Sequence, residues 1–198
     1  FHIISIYRER KGGVKKLEPE MDVLRENGTV VKTYNLSALK QETIDIVVSD
    51  ILETIGKNSI KLILHSIANG NLKPLRLEDH PPVVLSDGGD SSDMVEIFAK
   101  LKQATKDQMQ FLKRLTVEDF NYTIHAMATN LIDWSNAFID NQLFTQNARI
   151  VGLTSEGNKR VWKGYAAVSG AKVVLETLIH HMALEYAPLG ITSNLIQA

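Results

Sequence analysis

The 198-residue chain contains no cysteine, only five prolines and no apolar run long enough to cross a bilayer. Without cysteine there is no disulfide framework, no thiol nucleophile and no thiolate metal ligand, and this fits a reducing cytoplasm, where we expect the protein. A membrane-spanning helix needs about 18 apolar residues, so none is expected. The net charge of -1 gives no overall positive field to attract nucleic acid or a membrane surface.

Apolar, β-branched segments alternate with amphipathic segments over most of the chain. Strands are predicted at residues 1–7, 29–34, 60–64, 148–153 and 191–196; helices are predicted at 17–27, 39–55, 94–115, 117–144 and 165–186; a turn is predicted at 8–16 and a loop at 72–93. This alternation favours a parallel sheet with right-handed crossovers. We therefore predict one α/β domain over 1–198, a Rossmann-like, doubly wound parallel sheet flanked by helices, with ligands bound beyond the carboxyl ends of the strands.

The most informative motif is Tyr165 and Lys172, seven residues apart at the start of a predicted helix. Seven residues are two helical turns, so both side chains share one helix face. A neighbouring ammonium favours the phenolate form of a tyrosine, which makes its hydroxyl a usable proton donor near neutral pH. Ser155 lies ten residues before the tyrosine, just past a predicted strand. Together they predict an oxidoreductase in which the protein protonates the substrate while a nicotinamide delivers hydride.

A strand-end serine followed by a tyrosine and a lysine resembles the short-chain dehydrogenase/reductase family. In that family the tyrosine usually precedes the lysine by four residues; here Ser155 and Lys172 keep the ordinary spacing of 17, and Tyr165 alone lies one turn earlier. This displacement, with the run His65-Ser66-Ile67-Ala68 after the third strand, resembles the divergent branch that contains the bacterial enoyl-acyl-carrier-protein reductases. The resemblance covers residues 1–74 and 120–198.

The resemblance implies roles for four residues around the substrate. Tyr165 would donate a proton or a hydrogen bond to the substrate oxygen, and Ser155 would orient the same oxygen. Lys172 would hold the ribose hydroxyls of the nicotinamide and stabilise the phenolate. Gly70 would leave room for the substrate.

Other residues that follow predicted strands are expected to bind the cofactor. Ser66, Ile67 and Ala68 would pass their backbone along the ribose and the nicotinamide, where small residues suit a close approach. Asn35 and Leu36, at the end of the second strand, would border the adenine.

The turn after the first strand carries the signal for cofactor choice. Arg8, Arg10 and Lys11 lie where an arginine accommodates the 2′-phosphate of NADP, whereas Glu9 is a contrary signal, because an acidic residue there selects NAD. We expect NADP(H) to be favoured over NAD(H).

Three features depart from the family pattern. The family's first strand and Gly-rich phosphate loop are not found, since Phe1 stands at the expected second strand. Met127 stands where many members carry a catalytic asparagine. Residues 76–116 are longer than the family's usual connection, and we expect them to form a substrate-side insertion or lid.

The expected function is NAD(P)H-dependent reduction of a trans-2-enoyl thioester, carried by acyl carrier protein or coenzyme A, in fatty acid biosynthesis. The alternatives are a 3-oxoacyl or other carbonyl reductase of the same family, and a non-catalytic cofactor-binding or scaffold homologue. The helices at 117–144 and 165–186 resemble the family's oligomer interface, so a homodimer or homotetramer is expected. His180 and His181 lack the spacing of a metal site, and no metal is expected.

Overall fold

The computed structural model describes residues 2–27, 29–77 and 113–197. In these ranges strands and helices follow one another along the chain. They are β1 His2–Tyr7, α1 Lys11–Glu26, β2 Val30–Asn35, α2 Gln41–Thr54, β3 Ile60–His65, α3 Val117–Ile124, α4 Asn130–Asp140, β4 Phe144–Thr154, α5 Ala166–Glu185 and β5 Thr192–Gln197. A π-helical turn, His125–Thr129, joins α3 to α4, and short 3₁₀ turns lie at Glu156–Asn158 and Ala187–Leu189.

The strands pair in parallel, as the alternation of strands and helices predicts. β1 pairs with β2 in parallel, from His2 opposite Val30 to Tyr7 opposite Asn35. A second sheet has the order β3-β4-β5, and β4 pairs with β5 in parallel. The α/β class with parallel sheets and flanking helices is therefore confirmed.

The chain divides into two compact units, the first within residues 1–60 and 130–145. Its core is built from the apolar faces of α2 and α4, where Val47 and Ile51 are almost completely buried. Trp134 packs edge-on against Phe138 with their ring centroids 5.8 Å apart, and its indole nitrogen donates to the Ala38 carbonyl at 2.9 Å. Trp134 is thus a core residue with its polar atom satisfied.

The second unit, within residues 61–129 and 146–198, is organised around α5. Leu175 and Ile179 are almost completely buried on this helix. A Cβ placed on Gly152 of β4 would come within 3.3 Å of Leu175 and 3.4 Å of Ile179, so the glycine lets helix and strand pack closely. The apolar face of α5 is buried against β4, and this packing fixes the position of the helix that contains Lys172 and begins after Tyr165.

Several predicted boundaries are wrong. The turn predicted at 8–16 is shorter, because α1 begins at Lys11, and the carbonyl of Arg10 accepts bonds from Gly13 and Val14. The helix predicted at 117–144 is interrupted by the π-helical turn and ends at Asp140; Gln142, at a φ of 56°, then turns the chain so that β4 begins at Phe144. Of the helix predicted at 94–115, residues 113–115 are not helical and the rest lies outside the described residues.

The two ends of the expected insertion at 76–116 lie side by side. Leu115 donates its backbone N–H to the Pro74 carbonyl at 2.9 Å, and Lys73 forms an ion pair with Asp119 at 2.6 Å. Thr116 caps α3 through a reciprocal capping box with Asp119. A segment whose two ends lie close together can be inserted into a fold without displacing the residues on either side. The interior of this segment, 78–112, lies outside the described residues, and its role as a lid stays a prediction.

In the part of the chain that the structure describes, no helix is both long enough and apolar enough to cross a membrane.

Candidate active site

Tyr165 stands at the N-cap of α5, against a glycine and a tryptophan. Its ring meets Trp162 edge-on, with centroids 5.2 Å apart. On another side lies Gly157, where an added Cβ would be only 2.4 Å from the Tyr165 Cε1 atom. The absence of a side chain at Gly157 therefore leaves the space that the tyrosine ring occupies.

Lys172 lies two turns further along α5 and is buried, with 8% of its surface exposed. Its Nζ donates to the carbonyl of Leu153 at 2.6 Å, near the end of β4. Burial lowers the pKa of Lys172 below its ordinary value, because the charged form loses its hydration. The other two ammonium protons have no partner among the described residues, which leaves two donors for a ligand.

Ser155 follows β4 directly and begins the turn Glu156–Asn158. Its hydroxyl is buried and has no hydrogen-bond partner among the described residues. An unpartnered buried hydroxyl is unfavourable, so such a group calls for an explanation, and a ligand oxygen is one. By contrast, the hydroxyl of Ser169, close to the family's usual tyrosine position, donates to the Gly157 carbonyl at 2.6 Å and has a structural partner.

The segment after β3 contains the predicted cofactor residues Ser66, Ile67 and Ala68. It has no regular secondary structure, and the side chains of Ser66 and Ala68 are exposed. His65, the last residue of the strand, is buried at 6% exposure.

Gly70 belongs to the same segment and packs against protein. A Cβ there would lie 2.7 Å from Val168, 2.8 Å from Thr123 and 2.9 Å from the sulfur of Met127. The glycine thus brings the segment against α5 and the π-helical turn; its role in leaving room for the substrate stays a prediction. Met127 lies within this π-helical turn, a feature often found at functional sites and not predicted from the sequence.

Arg8, Asn35 and Leu36 belong to the other compact unit and are described within it. Asn35 accepts from the Glu9 N–H and donates to the Glu9 carbonyl, both at 2.9 Å. The Glu9 carboxylate accepts from the backbone N–H of Arg10 at 2.7 Å. Arg8 is exposed, and Leu36 has 37% of its surface exposed.

A carboxylate on α5 holds the end of β4 and the turn that follows it, a contact that the sequence does not predict. Glu176 accepts hydrogen bonds from the Thr154 hydroxyl at 2.5 Å and from the side-chain amide of Asn158. No local sequence pattern predicts the contacts of Glu176, because its partners are 18 and 22 residues away along the chain.

A groove of about 940 Å³ borders the loop that contains Gly157. Residues 74–77 form one part of its lining and residues 157–164 another. It combines apolar side chains with cationic ones: Leu75, Val161, Trp162, Arg76, Lys159, Arg160 and Lys163. No group of three His, Asp or Glu residues that could hold a metal ion occurs among the described residues.

Comparison with known proteins places these features in a family. The family model described as enoyl-(acyl carrier protein) reductase matches residues 94–198, just over half of the chain. A curated relative, 1-cyclohexenylcarbonyl-CoA reductase from Streptomyces collinus, is 38% identical over 55 residues, which are 28% of this chain and 20% of the relative.

Solved structures show the same fold at low identity. An enoyl-(acyl-carrier-protein) reductase from Anaplasma phagocytophilum in complex with NAD superposes with a TM-score of 0.67 at 16% identity, over 100% of this chain and 60% of that one. An NADPH-bound short-chain oxidoreductase from Pseudomonas aeruginosa, with an atypical catalytic center, gives 0.65 at 16% identity, over 99% and 60%. The chain thus spans about three fifths of these structures and a fifth of the curated relative.

The family match includes Ser155, Tyr165 and Lys172, the three residues on which the sequence-based resemblance depends. The chain belongs to the short-chain dehydrogenase/reductases, in the family whose model is described as enoyl-(acyl carrier protein) reductase.

Proposed function

We propose that the protein reduces the C2–C3 double bond of a trans-2-enoyl thioester with a reduced nicotinamide cofactor. One arrangement carries the proposal: Tyr165 at the N-cap of α5, Lys172 buried two turns later, and the unpartnered hydroxyl of Ser155 at the end of β4. Family membership supports it, and so does the curated relative, which is named as a reductase of a CoA thioester.

The residues present fit a nicotinamide cofactor. Lys172 has two ammonium protons without partners among the described residues, which suits a pair of ribose hydroxyls. The small exposed side chains of Ser66 and Ala68 leave the backbone after β3 accessible to a flat ligand. When bound, the reduced nicotinamide supplies a hydride to the β-carbon of the enoyl group.

The side chains of this site act on the thioester oxygen, which gains negative charge as the double bond is reduced. The Tyr165 hydroxyl would donate a hydrogen bond or a proton to that oxygen, and Ser155 would supply a second donor. The buried ammonium of Lys172 stabilises negative charge in a low-dielectric surrounding, where electrostatic support is strongest.

The turn after β1 supports a preference for NADP(H). A residue that selects NAD needs a carboxylate free to accept from the ribose hydroxyls. One oxygen of the Glu9 carboxylate is instead bonded to Arg10 N–H, and the side chain lies against Gly13, where an added Cβ would be 2.1 Å from Glu9 Cγ. Arg8 remains exposed for a 2′-phosphate.

The groove beside Gly157 supports an acyl thioester whose carrier bears phosphate, as acyl carrier protein and coenzyme A both do. Arg76 and Lys159 have no ion-pair partner among the described residues, so their charges are available to an anion. Val161 is 98% exposed and Trp162 44%, which offers apolar surface to an acyl or pantetheine chain. A cytoplasmic location, a role in fatty acid biosynthesis and a homodimer or homotetramer, all expected from the sequence, belong to this proposal.

A parallel assay tests the reaction type. Crotonyl-CoA and acetoacetyl-CoA are offered to the intact protein, each with NADPH and with NADH, and nicotinamide oxidation is followed by absorbance. The proposal expects faster reduction of crotonyl-CoA and a preference for NADPH.

A carbonyl reductase is the second candidate, because the Ser155 hydroxyl, which has no partner among the described residues, could equally orient the carbonyl oxygen of a ketone. Reduction of acetoacetyl-CoA alone would select that candidate. Binding of NADPH without turnover of either thioester would indicate a non-catalytic homologue.

A further inference from the structure

Helix α5 is bonded to the end of β4 and to the turn after it at several points, and Glu176 makes two of these bonds. One carboxylate oxygen of Glu176 accepts from the Thr154 hydroxyl at 2.5 Å and from the Asn158 amide. Thr154 is the last residue of β4, and Asn158 is the last residue of the 3₁₀ turn. The two bonded residues therefore bracket Ser155 on both sides.

Burial of the bonded groups indicates that the two bonds to Glu176 are part of the folded structure. Thr154 is buried at 7% exposure, so its hydroxyl needs a partner inside the protein. The Oδ1 atom of Asn158 is buried and without a partner among the described residues, so the bond from its Nδ2 atom to Glu176 sets the orientation of this amide. Hydrogen bonds to a carboxylate are roughly twice as strong as those between neutral groups.

Glu176 also has a defined relation to the rest of the site. It lies four residues after Lys172, so both side chains share one face of α5. Lys172 bonds to Leu153, and Glu176 bonds to the next residue, Thr154. The same helix face therefore presents the ammonium and fixes the end of the strand that precedes Ser155.

We infer that Glu176 is a positioning residue: it holds the segment from Thr154 to Asn158 so that the Ser155 hydroxyl points at the substrate oxygen. This inference rests on the proposed function for its kinetic consequence. Its structural part, the ordering of the segment, does not depend on which substrate is reduced.

The test compares Glu176→Ala and Glu176→Gln in the intact protein, with Glu185→Ala as the matched control. Glu185 is a glutamate of the same helix, exposed, and paired only with His181 at 3.8 Å among the described residues. Glu176→Ala should lower kcat for crotonyl-CoA by roughly 10- to 100-fold, because misplacing a reacting group by about 1 Å can have an effect of that size. KM for NADPH should change less than threefold, since Lys172 keeps its own bond.

Glu176→Gln keeps an acceptor oxygen and should recover at least a third of the wild-type kcat. The decisive kinetic readout is the Ser155→Ala background: if Glu176 acts through Ser155, adding Glu176→Ala there should lower kcat by less than threefold. A merely structural role predicts that the two losses multiply, and multiplying losses would overturn the inference.

Amide hydrogen exchange of the peptide that contains residues 154–158 separates this inference from the proposed function. Exchange should be at least tenfold faster in Glu176→Ala than in wild type and unchanged in Glu185→Ala. If the wild-type protein reduces no thioester while exchange behaves in this way, the proposed function fails and the positioning of the segment stands. Unchanged exchange in Glu176→Ala overturns the inference whatever the activity.

Discussion

Replacing Gly157 by alanine should displace the ring of Tyr165 and lower activity while leaving the protein folded. The new Cβ would lie 2.4 Å from the Tyr165 Cε1 atom and 3.2 Å from Trp162 Cζ3. Carbon atoms make favourable contacts at about 3.5–4.0 Å, so the tyrosine ring has to move by about 1 Å. A shift of that size in a reacting group can lower the rate about 100-fold.

This loss corresponds to about 2.7 kcal/mol of transition-state stabilisation. The accompanying loss of stability should be about 1–3 kcal/mol, the usual effect of overpacking. The measurements are kcat/KM for crotonyl-CoA with NADPH and the thermal unfolding midpoint of Gly157→Ala and wild type.

Gly170→Ala is the matched control, because its Cβ would lie 2.7 Å from the ring of Phe120 on α3, away from the tyrosine. It should lose less than threefold in kcat/KM. A Gly157→Ala protein that also keeps kcat/KM within threefold of wild type would show that the position of the Tyr165 ring does not matter to the reaction.

Substitutions of the buried Lys172, of the exposed Arg8 after β1 and of the packed Gly70 should have distinct effects. Burial lowers the pKa of Lys172, so its charge destabilises the fold fully below this lowered pKa, and progressively less as pH rises towards the pKa of the unfolded chain. Lys172→Met should therefore abolish turnover yet unfold at the same or a higher temperature than wild type at pH 7, with a smaller gain in the unfolding midpoint at pH 10. A midpoint lower than wild type by more than about 3 °C at pH 7, roughly 1 kcal/mol, would contradict this. Arg8→Ala should raise KM for NADPH by at least tenfold and leave KM for NADH within twofold in steady-state assays; equal changes would refute the proposed contact of Arg8 with the 2′-phosphate. Gly70→Ala should lose about 1–3 kcal/mol in urea unfolding, because its Cβ would lie under 3.0 Å from Val168, Thr123 and Met127; an unchanged midpoint would show that these side chains move aside freely.

The sequence predicted well what depends on local spacing. Tyr165 and Lys172 are two turns apart on one helix, and helical geometry alone places them on one face. Ser155 follows a buried strand, so its position at the strand end was also predictable. The parallel pairing of β1 with β2 and of β4 with β5 followed from the alternation of strands and helices.

Prediction was poorer where local signals conflict. The charges and glycines of the segment after β1 predict a turn through residue 16, but α1 begins at Lys11, and the carbonyl of Arg10 accepts the first helical bonds. The π-helical turn within the predicted helix 117–144 has no sequence signature, since its backbone hydrogen bonds span five residues where those of an α-helix span four.

Contacts between distant parts of the chain could not be predicted at all. The bonds from Glu176 to Thr154 and Asn158, and the approach of Tyr165 to Gly157, depend on how α5 packs against β4. Glycine and glutamate at these positions look ordinary in the sequence, and only the packed structure shows which atoms they meet.

In the proposed reaction Tyr165 supports the negative charge that develops on the oxygen of an enoyl thioester. This role is tested by kcat/KM of Tyr165→Phe for crotonyl-CoA with NADPH, with Tyr186→Phe, at the opposite end of α5, as the matched control. Loss of one donor to a developing oxyanion lowers the rate by about 100- to 1,000-fold, so we expect a loss in that range for Tyr165→Phe and less than threefold for Tyr186→Phe. A folded Tyr165→Phe protein that binds NADPH normally and reduces crotonyl-CoA within threefold of the wild-type rate would show that Tyr165 does not have this role.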